Sequence, residues 1–337
     1  MKNAKSIPLR IWMYIKNNPI VVLLTVVCLI VGLNVENFFS WGNFNNLASN
    51  TAVRFLIALG VSGCLITKGT DLSAGRQVGL AACLSGVLLQ RANYTGRLFP
   101  NLPEMNMWVV LIIVLAIGAC IGLINGLIIS ILNVPPFIAT LGTQTIVYGI
   151  ALVFTDAQPI GAFQEVYRKF VNGKLFKTES YPGLPYLLII AVVFGVIFWF
   201  VFNKTTHGKY MYAIGGNENA AEVSGVNTRK SKIIIYMTAG LMYALAGYLL
   251  AGYSGGATSN LGNGYELEAI AGCTIGGVST TGGIGTVGGV LVGVLVFELL
   301  KIVLQFLGVN PYNNFIIQGL VIVTAVALDI RKYVAKK

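Results

Sequence analysis

Again and again along this chain, runs of about 20 residues pass with hardly a charge, the length at which a helix spans the hydrocarbon core of a bilayer. In lipid the backbone of such a run must satisfy its own hydrogen bonds, which restricts it to the helical form. Composition agrees. Of 337 residues, 55% are hydrophobic and only 10% charged, with a mean hydropathy of +0.76; soluble domains carry about 25% charged residues. The expected fold class is an all-α integral membrane protein.

Apolar stretches set against polar breaks predict about ten spans, near 20–37, 53–68, 76–92, 108–132, 137–155, 184–203, 231–254, 268–279, 285–307 and 312–329. The eighth is too short and too glycine-rich for an ordinary crossing. Irregular backbone at membrane depth is tolerated only under the cover of protein or a water-filled cavity. A broken or re-entrant span is therefore expected near 268–284. Forty glycines would weaken soluble helices but allow close helix contact in a bilayer. Gly118, Gly122 and Gly126, Gly285, Gly289 and Gly293, and Gly75 with Gly79 have the spacing of packing faces.

The net charge of +11 is placed for a membrane rather than for nucleic acid. Basic residues gather at Lys2, Lys5, Arg10 and Lys16, within 204–232, and at Arg331, Lys332, Lys336 and Lys337, as cytoplasmic segments require. An even number of spans puts all three groups on one side, with both termini cytoplasmic. The expected outside loops are 38–52, 93–107, 156–183 and 255–267. The expected organisation is a cytoplasmic segment 1–19, one transmembrane domain 20–329 with halves at about 20–155 and 184–329, a cytoplasmic loop 204–230, and a basic tail 330–337. Gly118, Leu132, Val134 and Pro136 recur as Gly293, Leu307, Val309 and Pro311. That echo suggests a five-plus-five inverted repeat.

Chemistry-bearing motifs are scarce. Gly283–Gly288 matches GxGxxG, yet it opens an apolar span and is followed by Phe306 and Leu307 where an acid is needed, so a dinucleotide site is rejected. No GxxxxGK[ST] phosphate cradle occurs; the chain is expected to be no enzyme and to bind no cofactor itself. The five cysteines stand singly, without metal or disulfide spacing. Buried ionisable groups cost energy and point to function. Asp71 lies between the second and third spans, with a helix-capping role as its plainer reading; Glu298 and Lys301 share a helix face and can pair. Asp71, Ser73, Thr140, Thr143, Thr274 and Ser279 are the candidate pathway or gating residues.

The most informative polar segment is 213–227. Asn217 suits an N-cap, Glu218 a first turn, Ala220 and Ala221 a helix, and Gly225 its end. A helix this short needs a docking surface.

Here the sequence resembles a known family. IGGNENAAEVSGVN is similar to the cytoplasmic coupling loop of ABC sugar-importer permeases of the ribose, arabinose and galactose class. ALGVSGCLITKGTDLSAGRQVGLAA (58–82), GLINGLIISILNVPPFIATLGTQTIVYGI (122–150) and AIAGCTIGGVSTTGGIGTVGGVLVG (269–293) resemble the same family. GTDLSAGRQVGLAA and YELEAIAGC (265–273) look most like the galactose and methyl-galactoside members. The resemblance implies a homodimer in the bacterial inner membrane that imports a monosaccharide by alternating access. It implies partner ATP-binding cassette subunits that hold ATP and magnesium, and a periplasmic or lipid-anchored sugar-binding protein. It assigns coupling to Gly215, Gly216, Asn217, Ala220, Ala221, Ser224 and Gly225, with Ala221 in the docking groove. A permease for ribose, another pentose or an inositol, an ion-coupled secondary transporter, and a channel or purely structural membrane protein remain the alternatives.

Overall fold

The computed structural model describes residues 19–179 and 181–334. The expected segment 1–19 lies outside the described residues except for Pro19, as do residues 335–337 of the expected tail. The described chain is almost wholly helical. In order it runs α1 (Pro19–Asn34), α2 (Trp41–Ile66), α3 (Ala74–Leu88), α4 (Met107–Ser130), α5 (Pro136–Thr155), α6 (Glu165–Val171), β1 (Lys174–Leu175), β2 (Leu184–Pro185), α7 (Tyr186–Lys204), α8 (Thr206–Gly216), α9 (Glu218–Val223), α10 (Thr228–Ser254), α11 (Tyr265–Ile275), α12 (Val287–Phe306) and α13 (Pro311–Val334).

Each expected span falls on a helix, and among the described residues six helices are long and apolar enough to cross a membrane: α2, α4, α5, α7, α10 and α12. Helices α1, α3 and α11 are shorter, at 16, 15 and 11 residues, and the described part of α13 includes the apolar stretch Tyr312–Thr324. The expected break near 268–284 takes the form of the short α11, which ends at Ile275 with Gly276 as its cap. Positive-φ glycines at 277, 282 and 283 then carry the chain through a turn in which Val278 and Ser279 are fully buried.

Burial sorts the helices into layers. In α2, 89% of the apolar window is buried, against 22% in α4 and in α7. Helices α2 and α10 form the centre; the outer faces of α4, α5 and α7 expose Ile112, Ile146, Val153, Val196 and Phe200, as surfaces in contact with lipid tails do. The most extensive contact between helices is that of α4 with α10, and the expected glycine face explains why. A Cβ on Gly118 would strike Gly240 O, one on Gly122 would strike Tyr236 O, and one on Gly126 would come within 2.8 Å of Ile233 Cα. Gly289 and Gly293 likewise abut the backbone at Gly276 and Gly272, while Gly75 and Gly79 abut Gly262 O and Leu261 O. Backbone-to-backbone contact replaces side-chain interdigitation where a hydrophobic driving force between helices is lacking.

Two expected loops prove to be ordered structure. Helix α2 begins at Trp41, capped by Ser40 Oγ, which accepts from Asn43 N at 3.2 Å, so most of 38–52 is helix and not loop. Its run of Asn and Ser hid it from a reading based on hydropathy. Segment 156–183 contains α6 and β1, which pairs antiparallel with β2 just beyond it, Lys174 opposite Pro185. It is stitched to the bundle by paired backbone bonds between Ile160 and Ala257, both 2.8 Å. Asn172 Nδ2 also donates to Gly252 O at 2.9 Å, and the buried Tyr167 hydroxyl donates to Tyr248 O. This cap sits over the C-terminal end of α10; α8 and α9 lie at the opposite end of the bundle, beside the last turn of α2.

Candidate functional site

The segment 204–230 is two helices rather than one. Thr205 caps α8 by accepting from Gly208 N at 3.2 Å. Asn217 caps α9 as the sequence suggests, its Oδ1 accepting from Ala220 N at 3.1 Å. At the other end Gly225 takes φ +87°, Gly225 N donates to Glu222 O at 2.9 Å and Val226 N to Ala221 O at 3.0 Å. This Schellman closure uses glycine because a left-handed φ strains any residue with a Cβ. Lys232 on α10 pairs with Glu218 and holds the six-residue α9 against its own chain.

The expected coupling residues divide by exposure. Gly216, Asn217, Ala220, Ser224 and Gly225 face outward, whereas Gly215 and Ala221 are buried within the chain's own fold. Ala221, 5% exposed, packs against the chain itself and anchors α9. The outward apolar position is instead Val223, 90% exposed, which the sequence reading passed over. Gly215 is where the unit meets the bundle: a Cβ there would run into Ile66 O, at the end of α2, and into the backbone of Gly283. Gly283 N donates to Ile66 O at 2.8 Å, Tyr212 OH to Gly285 O at 2.8 Å, and Lys68 Nζ to Gly216 O at 3.3 Å. One knot thus ties α8 to α2 and to the turn between α11 and α12. At the start of α8, burial pushes the His207 imidazole below its usual range.

Above that knot lies a buried polar chain. Asp71 does not cap α3; Ser73 occupies the cap position without a side-chain cap bond. Asp71 Oδ1 instead accepts from Ser73 N at 3.0 Å and Ser73 Oγ at 2.5 Å. Ser73 Oγ accepts in turn from Gln77 Nε2 at 2.8 Å and from Asn125 Nδ2 at 3.0 Å, and Thr143 Oγ1 donates to Asn125 Oδ1 at 2.6 Å. Thr140 Oγ1 accepts from Leu72 N at 3.1 Å. Four candidates, Asp71, Ser73, Thr140 and Thr143, therefore converge where α3, α4 and α5 meet, joined by Gln77 and Asn125, which the sequence reading missed. Thr274 and Ser279 do not join them. Thr274 donates to Ile270 O of its own helix at 2.8 Å, and Ser279 Oγ pairs with Thr281 Oγ1 at 2.8 Å in the turn after α11.

A third group was half visible. Glu298 and Lys301 pair at 2.8 Å as their spacing suggests. They are joined by Arg54 from α2, 2.7 Å from Glu298, and by Glu268 from α11, 3.2 Å from Arg54 and 2.6 Å from Lys301. Two bases and two acids balance in a largely buried ring. The signal for it was present: Arg54 and Glu268 are charges at the very edges of the second and eighth apolar runs.

A helical bundle in which α4 is zipped to α10 through glycines, with a short α11 ending in a buried turn and a capped helix pair at one end, has the build of a multi-span membrane protein. The chain belongs to the family described as branched-chain amino acid transport system / permease component, whose model matches residues 43–326. It is 48% identical over 326 residues to the galactose/methyl galactoside import permease protein MglC of Haemophilus influenzae, covering 96% of each chain. It is 47% identical to the protein of that name from Escherichia coli K12, covering 96% of this chain and 97% of the relative. The ribose import permease protein RbsC of Escherichia coli K12 is 33% identical, with 96% of each chain covered. No solved structure matches the chain.

Proposed function

We propose that this chain is the membrane-spanning subunit of an ATP-driven importer that moves galactose or methyl galactoside into the cytoplasm. The observation that carries the reading is near full-length identity of 48% to a galactose/methyl galactoside permease, well above the 33% to a ribose permease. In this reading the permease sits in the inner membrane as a homodimer with both termini cytoplasmic. It crosses about ten times as a five-plus-five inverted repeat with halves near 20–155 and 184–329. ATP and magnesium are held by partner ATP-binding cassette subunits, and a periplasmic or lipid-anchored binding protein delivers the sugar.

Coupling runs through α8 and α9. Closure of the ATP-binding subunits bears on the outward residues Gly216, Asn217, Ala220, Val223, Ser224 and Gly225; Gly215 and Ala221 transmit the load because they are packed against the chain itself. The contacts of Gly215 and Tyr212 with Ile66 and with Gly283–Gly285 pass that motion to α2 and to the α11–α12 turn. The Arg54–Glu268–Glu298–Lys301 ring makes α2, α11 and α12 move as one body. Asp71, Ser73, Thr140 and Thr143, with Thr274 and Ser279 on the second half, are the pathway or gating positions. Alternating access requires two packed arrangements of near-equal energy whose balance the nucleotide shifts.

Uptake of labelled galactose in a strain lacking this gene decides the reading. Restored uptake on complementation, competed by methyl galactoside and not by ribose or leucine, is the expected result. Complementation that restores ribose or leucine uptake alone overturns it.

A further inference from the structure

We propose that a polar cavity at the start of α2, lined by Asn45, Asn46, Ser49, Asn172, Lys174 and Tyr253, binds a neutral polyol, with a hexose as its natural occupant. The inference rests on the sugar-import reading and adds to it a specific site of first contact. The cavity lies at the end of the bundle opposite α8 and α9, between the N-terminal turns of α2, the end of α6, the β1–β2 hairpin and the end of α10. Its volume of about 220 Å³ is below that of sites for drug-sized ligands, about 300–1,000 Å³, and limits the occupant to a small molecule.

Asn45 is the decisive residue. It is 6% exposed, it lines the cavity, and neither Nδ2 nor Oδ1 has a hydrogen-bond partner in the protein. A buried amide without partners costs stability, and an isosteric Leu would remove that cost, so its presence calls for a ligand. Its neighbours are already committed. Asn46 Oδ1 accepts from Asn50 Nδ2 at 2.8 Å and from Tyr253 OH at 3.1 Å, while Asn172 Nδ2 donates to Gly252 O at 2.9 Å. The wall is therefore positioned in advance beside one unpartnered amide, whose Nδ2 and Oδ1 are closed off from solvent and must turn into the cavity to meet a ligand.

The donor set fits a sugar better than an amino acid. An amide offers two donors and an acceptor side by side, matching hydroxyl groups that both give and take protons, and Val171 and the Tyr253 ring supply an apolar wall for the C–H face. No carboxylate is among the described residues lining the cavity, so the ammonium of an amino acid would find no counter-charge.

The test uses the full chain in lipid nanodiscs and saturation-transfer NMR with D-galactose, D-ribose and L-leucine as separate probes. Galactose should receive saturation from the wild type and lose it about tenfold in Asn45→Leu, while the melting temperature stays level or rises. Equal galactose signal in both proteins, signal from leucine alone, or no signal from either sugar overturns the proposal. If Asn45→Leu does not fold, Asn46→Ala, which removes an exposed wall residue, must show the same loss. Cellular galactose uptake is scored separately: uptake by the wild type with binding unaltered by both substitutions defeats the cavity and leaves the import reading intact. Sugar binding that Asn45→Leu abolishes, with no galactose uptake by the wild type, defeats the import reading and supports the cavity.

Discussion

Arg54 Nε lies 2.7 Å from Glu298 Oε1, across 244 residues of sequence, and this contact closes the ring in which each base meets both acids. Arg54 also lies over the Tyr265 ring, 4.4 Å from its centroid. The guanidinium thereby joins α2 to α11 through the aromatic face and to α12 through the acid. Planar, permanently charged and weakly hydrated, Arg suits such a place better than Lys.

Removing one member of the ring leaves an uncompensated buried charge. Arg54→Met should destabilise the protein by about 3–5 kcal/mol, read as a fall in melting temperature in detergent. Adding Glu298→Leu restores neutrality and should recover most of the loss. Strict additivity of the two substitutions would show that the ring is not a unit.

The α4–α10 contact is set by the absence of side chains. Gly122→Leu drives a side chain into Tyr236 O and should cost at least about 1–3 kcal/mol by overpacking. Gly149→Ala, with nothing within 4 Å of the new Cβ, should stay within about 0.5 kcal/mol of the wild type. Thermal unfolding of the two side by side checks the difference.

Val223, 90% exposed on α9, should be a contact for the ATP-binding subunit. Val223→Asp is expected to weaken co-purification of that subunit about tenfold with the melting temperature of the isolated permease unchanged. Asn217→Ala removes the cap of α9 at a cost of about 1 kcal/mol and should lower sugar-stimulated ATP hydrolysis. Wild-type co-purification by Val223→Asp would remove α9 from the interface.

The bond from Thr143 Oγ1 to Asn125 Oδ1, 2.6 Å long, secures the far end of the Asp71–Ser73 chain. Thr143→Val leaves a buried carbonyl oxygen without its donor and should cost about 1–3 kcal/mol, with Thr143→Ser recovering most of it. Equal stability of the valine and serine variants would mean that the hydroxyl is not needed.

Much of the architecture was legible beforehand. Ten apolar stretches each fall on a helix, Asn217 and Gly225 bound α9, and the glycine spacings mark faces that do approach backbone to backbone. Three features were not legible. The start of α2 reads as loop because Asn43, Asn45, Asn46, Ser49 and Asn50 lower its hydropathy, yet a packed cap buries part of it. Asp71 reads as a cap, but Ser73 takes that position. Ala221 reads as a surface residue because nothing in six residues tells which side of a short helix its own chain covers.

Sequence by itself determined that this protein lives in a membrane, that it is helical, and where its short capped helix begins and ends. These follow from hydropathy over a window of about 20 residues and from backbone preferences within a single turn. Only the tertiary structure decided which charges meet, that Asn125 links the hydroxyls of Ser73 and Thr143, and that the Asn45 amide is left unpartnered beside a cavity. The residues in those contacts come from different helices, Arg54 and Glu268 being 214 positions apart. A local pattern fixes what a segment is; its partner depends on how whole helices pack, which no window of neighbouring residues contains.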